Sequence, residues 1–277
     1  MRSKQKTIAL INDLSGFGRC SLTVSLPILS ALQVQCAVLP TCILSNHTAY
    51  PSYLFHDLTD DMSPWMEEWK KLDLSFNGIY TGFLGSEDQI QKVKDFCTMF
   101  QTSQTCMIVD PVMGDHGKIY PTYTEGMCEK MKELARMADV LTPNLTEACR
   151  LLDRPFRNDY SKEDLERIIR DLLDLGPQKA VISGLEMDDE VFNLAMERGK
   201  EPCWIPTKKV LPFRHGTGDV FASVIAGDAV KGLGFYESVQ KAADFVHDCL
   251  LISNQLEVPM EDGVAFEEIL GNLITKN

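Results

Sequence analysis

The chain has no Gly-x-x-x-x-Gly-Lys-Ser/Thr sequence, no Cys-x-x-Cys pair and no apolar run long enough to cross a bilayer. The first absence disfavours a Walker-type phosphate site. The second leaves the nine cysteines, at 20, 36, 42, 97, 106, 128, 149, 203 and 249, as reduced and mostly buried thiols, the odd count leaving at least one unpaired. Such thiols suit a cytoplasmic protein. Positive charge is scarce as well: 27 Lys and Arg stand against 40 Asp and Glu, a formal net charge of −13. Nucleic acids and anionic membranes need clustered Lys and Arg, so neither is an expected partner. The five histidines show neither helical nor finger spacing, so no histidine-based metal cluster is indicated. Met1 to Thr7 is basic but runs into only a short apolar stretch before Asn12 and Asp13, so no signal peptide is expected.

What is present is enough to bury a sizeable core: 277 residues, 44% of them apolar, with no internal repeat, low-complexity tract or linker. We expect one domain over 1–277. Short apolar runs at Ile8–Ile11, Cys36–Leu39, Gly78–Thr81, Met107–Val109, Val140–Leu141 and Ala180–Ile182 read as strands. Segments of helical period separate them, at about Cys20–Leu32, Ser86–Phe100 and Ser161–Leu175. That alternation predicts an α/β fold, a mainly parallel sheet with helices on both faces. Val191–Ala195 and Cys203–Ile205 predict an antiparallel edge, and 220–230, 235–255 and 264–274 a run of helices.

The most informative stretch is Arg214-His215-Gly216-Thr217-Gly218-Asp219-Val220-Phe221-Ala222-Ser223, a glycine-flanked turn ending in a carboxylate and opening into an apolar segment. Glycines at 216 and 218 allow successive N–H groups to converge on a phosphate at a helix start. Asp219 can accept a proton from a substrate hydroxyl while the amides of Gly216, Thr217 and Gly218 neutralise charge on a transferring phosphoryl group. The plainer alternative is a loop followed by a capping Asp.

Further motifs lie upstream. Gly16-Phe17-Gly18-Arg19-Cys20-Ser21 follows a strand but lacks the third glycine of a dinucleotide fingerprint, because Ser21 occupies it. Leu44-Ser45-Asn46-His47-Thr48-Ala49-Tyr50 packs polar groups between apolar residues. Tyr80-Thr81-Gly82-Phe83-Leu84-Gly85 offers Phe83 as a ring to stack on a flat heteroaromatic, or simply as core. Val109-Asp110-Pro111-Val112-Met113-Gly114-Asp115 sets two carboxylates beyond a strand, where open α/β sheets bind ligands. Thr142-Pro143-Asn144-Leu145-Thr146-Glu147 also reads as a helix start capped by Asn144 and Glu147, and Ile182-Ser183-Gly184 as an ordinary Ser-Gly turn.

Taken in order from about Ile8 to Asn254, these motifs resemble the ribokinase superfamily and, within it, the pyridoxal (vitamin B6) kinases. The resemblance implies a ribokinase-like three-layer α/β/α fold and an ATP-dependent transfer of phosphate to the 5′-hydroxymethyl of pyridoxal, pyridoxamine or pyridoxine. It implies Asp219 as base. Asn144, Ser183, Thr217 and Gly218 would hold the nucleotide, and Asp110, Asp115 and Glu147 would organise Mg²⁺ and water. Asp13, His47, Thr48, Tyr53 and Phe83 would meet the vitamin, though Asp13 serves equally as a turn cap and His47 as a structural residue. A monovalent cation, K⁺, and a homodimer are also implied. Two alternatives stay open: a hydroxymethylpyrimidine kinase of thiamine synthesis, and a non-catalytic B6-binding protein. The hydroxymethylpyrimidine kinases typically carry Cys after Gly-Thr-Gly, where this chain has Asp219, and lack the Ser-Asn-His-Thr run.

Overall fold

The computed structural model describes residues 4–274. In chain order the first half gives β1 (Thr7–Ser15), α1 (Ser21–Ala31), β2 (Gln35–Leu44), β3 (Phe55–Asp57), α2 (Thr59–Lys71), β4 (Gly78–Thr81), α3 (Glu87–Phe100), β5 (Cys106–Val109), β6 (Gly114–Asp115) and β7 (Lys118–Ile119). The second half gives α4 (Glu125–Ala135), β8 (Val140–Leu141), α5 (Leu145–Leu151), α6 (Lys162–Leu175), β9 (Lys179–Met187), β10 (Glu190–Glu197), β11 (Cys203–Lys208), α7 (Thr217–Lys231) and α8 (Phe235–Gln255).

One nine-stranded sheet runs β11-β10-β9-β8-β5-β4-β1-β2-β3, and β6 and β7 form a separate hairpin. The strands from β2 through β9 pair in parallel, whereas β3, β10 and β11 add antiparallel edges. Each central strand is buried on both sides, so alternate residues enter different cores. Ala9, Ile11, Ile79, Met107 and Val109 face the layer of α2 to α6, while Ile8, Leu10, Tyr80 and Ile108 face α1, α7 and α8. This is the mainly parallel three-layer arrangement of a ribokinase-like fold. Each such fully buried aliphatic contributes roughly 1.5–3 kcal/mol over its exposed state.

Local chemistry sets the helix starts. Ser86, Thr124 and Ser161 each accept the N3 amide of α3, α4 and α6, contributing about 1 kcal/mol apiece. The helix expected over 264–274 is instead two separated pieces of backbone. The Val264 N–H is taken by the His215 carbonyl and the Ala265 N–H by Ser253 Oγ at 2.7 Å, so only Glu267–Leu273 winds, as a 3₁₀ turn. Four elements lack a clear sequence signal. In α2 only Met62 and Met66 are buried and Pro64 interrupts, while β3 and the β6–β7 hairpin are three and two residues per strand. The fourth, α4, buries a full face, Met127, Cys128, Met131 and Leu134 among it. All nine cysteines are free thiols, and among the described residues no helix is long and apolar enough to cross a membrane.

Candidate active site

The carboxyl ends of β4, β5, β8 and β9 open on a cavity of about 750 Å³ closed on one side by the start of α7. Phe83, Asp110, Asp115, Asn144, Glu147, Ser183, Gly216, Thr217, Gly218 and Asp219 all line it. Sequence positions more than 130 residues apart therefore meet in one place.

Gly216 is the N-cap of α7 in the left-handed region, φ 82°, and a Cβ there would lie 2.1 Å from the Arg19 carbonyl oxygen. Only glycine fits that approach. The first helical bond runs from the Val220 N–H to the Gly216 carbonyl at 3.0 Å, so the preceding amides have no intrahelical partner. Nothing would meet a Cβ on Gly218 within 4 Å, so the backbone there is open. Unspent N–H groups, the helix dipole and an open approach together form a geometry able to receive an anion.

Asp219, in the first turn of α7, is half-buried. Burial pushes its carboxyl up to about 7, and the nearby Asp13 pushes the same way, against donors at the Ser21 N–H and the Asn12 side chain. A carboxyl near neutrality is matched to general-base work. Asp110, only 8% exposed, is raised to about 8 by burial and then by Asp219, although its Oδ1 accepts the Thr142 hydroxyl at 3.0 Å.

Glu147 is different in kind. Its Oε2 accepts the Asn144 N–H at 2.9 Å and its Oε1 the Met113 N–H at 3.1 Å. Asn144 Oδ1 accepts the Glu147 N–H at 3.0 Å, completing a capping box, and its Nδ2 donates to the Gly114 carbonyl at 2.8 Å. These two residues brace the hairpin carrying Asp115, whose own side chain is exposed. Ser183 does not follow its strand as the sequence suggests. It lies within β9, bridged to Asn144, with Gly184 in the left-handed region at φ 70°. Among the described residues no three His, Cys, Asp or Glu side chains converge to hold a metal alone. Hard oxygen donors that are costly to ionise nevertheless fit a Mg²⁺ completed by phosphate oxygens and water, with Asp110 and Asp115 as the protein's share.

The other expected substrate residues stand apart from that cavity. Asp13 is buried, accepts the Ser15 hydroxyl at 3.1 Å, and has its carboxyl raised by burial. His47 has both ring nitrogens engaged: Nε2 lies 2.6 Å from the Glu261 carbonyl and Nδ1 accepts the Ala49 N–H at 3.2 Å. The first contact makes Nε2 the protonated nitrogen. Thr48 and Tyr53 are exposed.

Two residues escaped the sequence reading. Arg214, buried at the entry to the glycine turn, donates to the Val258 and Pro259 carbonyls and to Asn254 Oδ1, tying the turn to the end of the chain. Asn12 accepts the Phe83 N–H at 2.8 Å and the Asp13 N–H at 3.0 Å through Oδ1. Their signals, a basic residue before Gly-Thr-Gly-Asp and a polar residue closing an apolar run, are too common to stand out.

The profile of the phosphomethylpyrimidine kinase family matches residues 26–264. The chain belongs to that family. It is thus a kinase of the group that includes the pyridoxal and hydroxymethylpyrimidine kinases. A crystal structure from Bacteroides thetaiotaomicron, described as a phosphomethylpyrimidine kinase and containing pyridoxal, is 39% identical, with a TM-score of 0.94 over 99% of this chain and 97% of that one. Pyridoxal kinase from Lactobacillus plantarum is 27% identical, with a TM-score of 0.90 over 98% and 97% of the two chains. Pyridoxal kinase PdxY of Pasteurella multocida is 26% identical over 239 residues, 81% of each chain.

Proposed function

We propose that this kinase phosphorylates the 5′-hydroxymethyl group of a B6 vitamer with ATP. The observation that carries the reading is Asp219, a half-buried carboxylate on the rim of the amide-lined turn, facing the cavity. The substrate hydroxyl loses its proton to Asp219 as its oxygen attacks the γ-phosphorus, and the bond to the β-phosphate oxygen breaks to release ADP. The amides of the 216–218 turn stabilise the charge on the phosphoryl oxygens. When bound, Mg²⁺ would neutralise phosphate charge, with Asp110 and Asp115 supplying protein oxygens. Phe83, half-buried in the cavity wall, offers a face for the pyridine ring.

The pyridoxal in a 39%-identical relative supports B6 over hydroxymethylpyrimidine, as does Asp rather than Cys at position 219. The family profile, named for phosphomethylpyrimidine, keeps the second substrate in the test. The purified protein is offered ATP, Mg²⁺ and K⁺ with pyridoxal, pyridoxamine, pyridoxine and hydroxymethylpyrimidine side by side. Turnover of a B6 vitamer that vanishes in Asp219→Asn is the expected result. Turnover of hydroxymethylpyrimidine alone moves the enzyme to that substrate, and vitamin binding without ATP consumption makes it a binding protein.

A further inference from the structure

Arg214 is only 8% exposed, and no opposite charge meets it. Its Nη1 donates to the Val258 carbonyl at 2.5 Å and the Pro259 carbonyl at 3.0 Å, and its Nη2 to Asn254 Oδ1 at 3.2 Å. All three acceptors are neutral. The Nε–H is buried without a partner, and among the described residues no Asp or Glu forms an ion pair with the guanidinium. Lys132, whose side chain is 7% exposed, shows the ordinary solution: two carboxylates, of Glu129 and Asp153, each at 2.6 Å. Taking a charge out of water is costly unless it is paired, and bonds to neutral oxygens leave the net charge whole. A strap between the glycine turn and the chain end needs donors rather than charge, and a neutral amide supplies donors.

The unbalanced charge stands where the fold gathers donors for an anion. The Arg214 carbonyl accepts the Thr217 hydroxyl at 3.4 Å, Gly216 two residues on is the N-cap of α7, and Arg214 lines the same cavity as Gly216, Thr217 and Gly218. Asp110, Asp115, Glu147 and Asp219 line that cavity too, and they repel a polyphosphate. We infer that Arg214 is a positioning residue for the nucleotide: its guanidinium, fixed by the chain end, is the positive charge whose counter-ion is the phosphate chain held at the turn. Both terminal nitrogens are engaged and Nε is buried, so the charge acts across the turn and not by contact. The inference rests on the kinase reading for the identity of the anion.

Three variants separate charge from strap. Arg214→Gln removes the charge and keeps an amide donor, Arg214→Lys keeps the charge and loses the fork, and Asn254→Asp leaves the arginine in place and sets a carboxylate against Nη2, giving up only the amide's bond to the Leu211 carbonyl. Thermal melts establish which are folded, and AMP-PCP with Mg²⁺, adenosine and pyridoxal are each titrated calorimetrically at low and high salt. Arg214→Gln and Asn254→Asp should weaken AMP-PCP about 5- to 50-fold, on the scale of one charge at intermediate dielectric, and leave adenosine and pyridoxal within about twofold. Both should also make AMP-PCP binding less sensitive to salt, and Arg214→Lys should stay within about threefold of the parent protein. An Asn254→Asp protein that binds AMP-PCP as tightly as the parent overturns the inference, because an ion pair only strengthens a strap. Equal losses for all three probes, or an Arg214→Lys protein as weak as Arg214→Gln, overturn it as well. If Arg214→Gln does not fold, Asn254→Asp decides alone. Should no vitamer be phosphorylated, the proposed function fails, while AMP-PCP against adenosine still judges Arg214.

Discussion

The turn at 216–219 and the segment at 45–53 are both dense in polar residues, both follow apolar runs, and both read from the sequence as ligand sites. They differ in how far their polar groups are already hydrogen-bonded. Around Asp219 the amides are unspent, the backbone is open at Gly218 and the carboxyl is held near 7. Around His47 the polar atoms are already engaged: its ring nitrogens by Glu261 and Ala49, the Tyr50 hydroxyl by Asp262 at 2.6 Å, and the Asn46 amide by the Ser52 carbonyl at 2.9 Å. A polar cluster with its bonds made holds the protein together, and one with its bonds unmade is ready for a ligand. The same contrast separates two carboxylates in one cavity, Glu147 with each oxygen accepting a backbone N–H and Asp219 with a single backbone donor, at Ser21.

The strongest test of this contrast is Asp219→Asn. Turnover should fall by roughly two to four orders of magnitude while the melting temperature stays put or rises, since a costly buried charge is removed. Near-normal turnover would erase the distinction between the regions. His47→Ala should do the reverse. Losing the bond to the Glu261 carbonyl should cost about 0.5–1.5 kcal/mol of stability, read as a lower thermal midpoint, with turnover largely kept. An unchanged midpoint would show that the ring is free for ligand after all.

A third test uses pH. Asp219 and Asp110 are raised in the folded state, to about 7 and about 8, above the ordinary 3.8. Their contribution to stability is therefore fully present below about pH 4 and is lost as pH climbs through 7 and 8. The metal-free protein should melt at lower temperature at pH 8.5 than at pH 6, added Mg²⁺ should recover more at the higher pH, and Asp110→Asn should flatten the decline. A midpoint that climbs across this window would contradict the assignment. The smallest effect belongs to Thr48→Ala, an exposed position where stability should change by no more than about 0.5 kcal/mol.

Much of the fold was legible because the central strands are short, apolar and spaced by amphipathic helices. Ile8–Ile11, Gly78–Thr81, Met107–Val109 and Val140–Leu141 all fall in strands. The short β3 and the β6–β7 hairpin carry too few residues for a period to register, and the 264–274 segment is shaped by distant partners, the His215 carbonyl and the Ser253 hydroxyl. At the site, the motifs that meet the cavity announced themselves through glycines and paired carboxylates. Asn12 and Arg214 did not, because what distinguishes them is which atoms their side chains meet, and the chain acquires that only on folding.

The ties from the end of the chain to the glycine turns also set a schedule. Arg19 donates to Glu267, 248 residues later, and to the Asp262 carbonyl, while Arg214 waits for Val258 and Pro259. At about 5–20 residues per second of synthesis, the first glycine turn stands for roughly 12–50 s before its last partner is made. The nascent chain can lay down its sheet before either tie is made, since the last strand ends at Lys208 and the partners lie at 258 to 267. A chain cut shortly before position 258 should retain every strand, the last of which ends at Lys208, and leave both glycine turns untied.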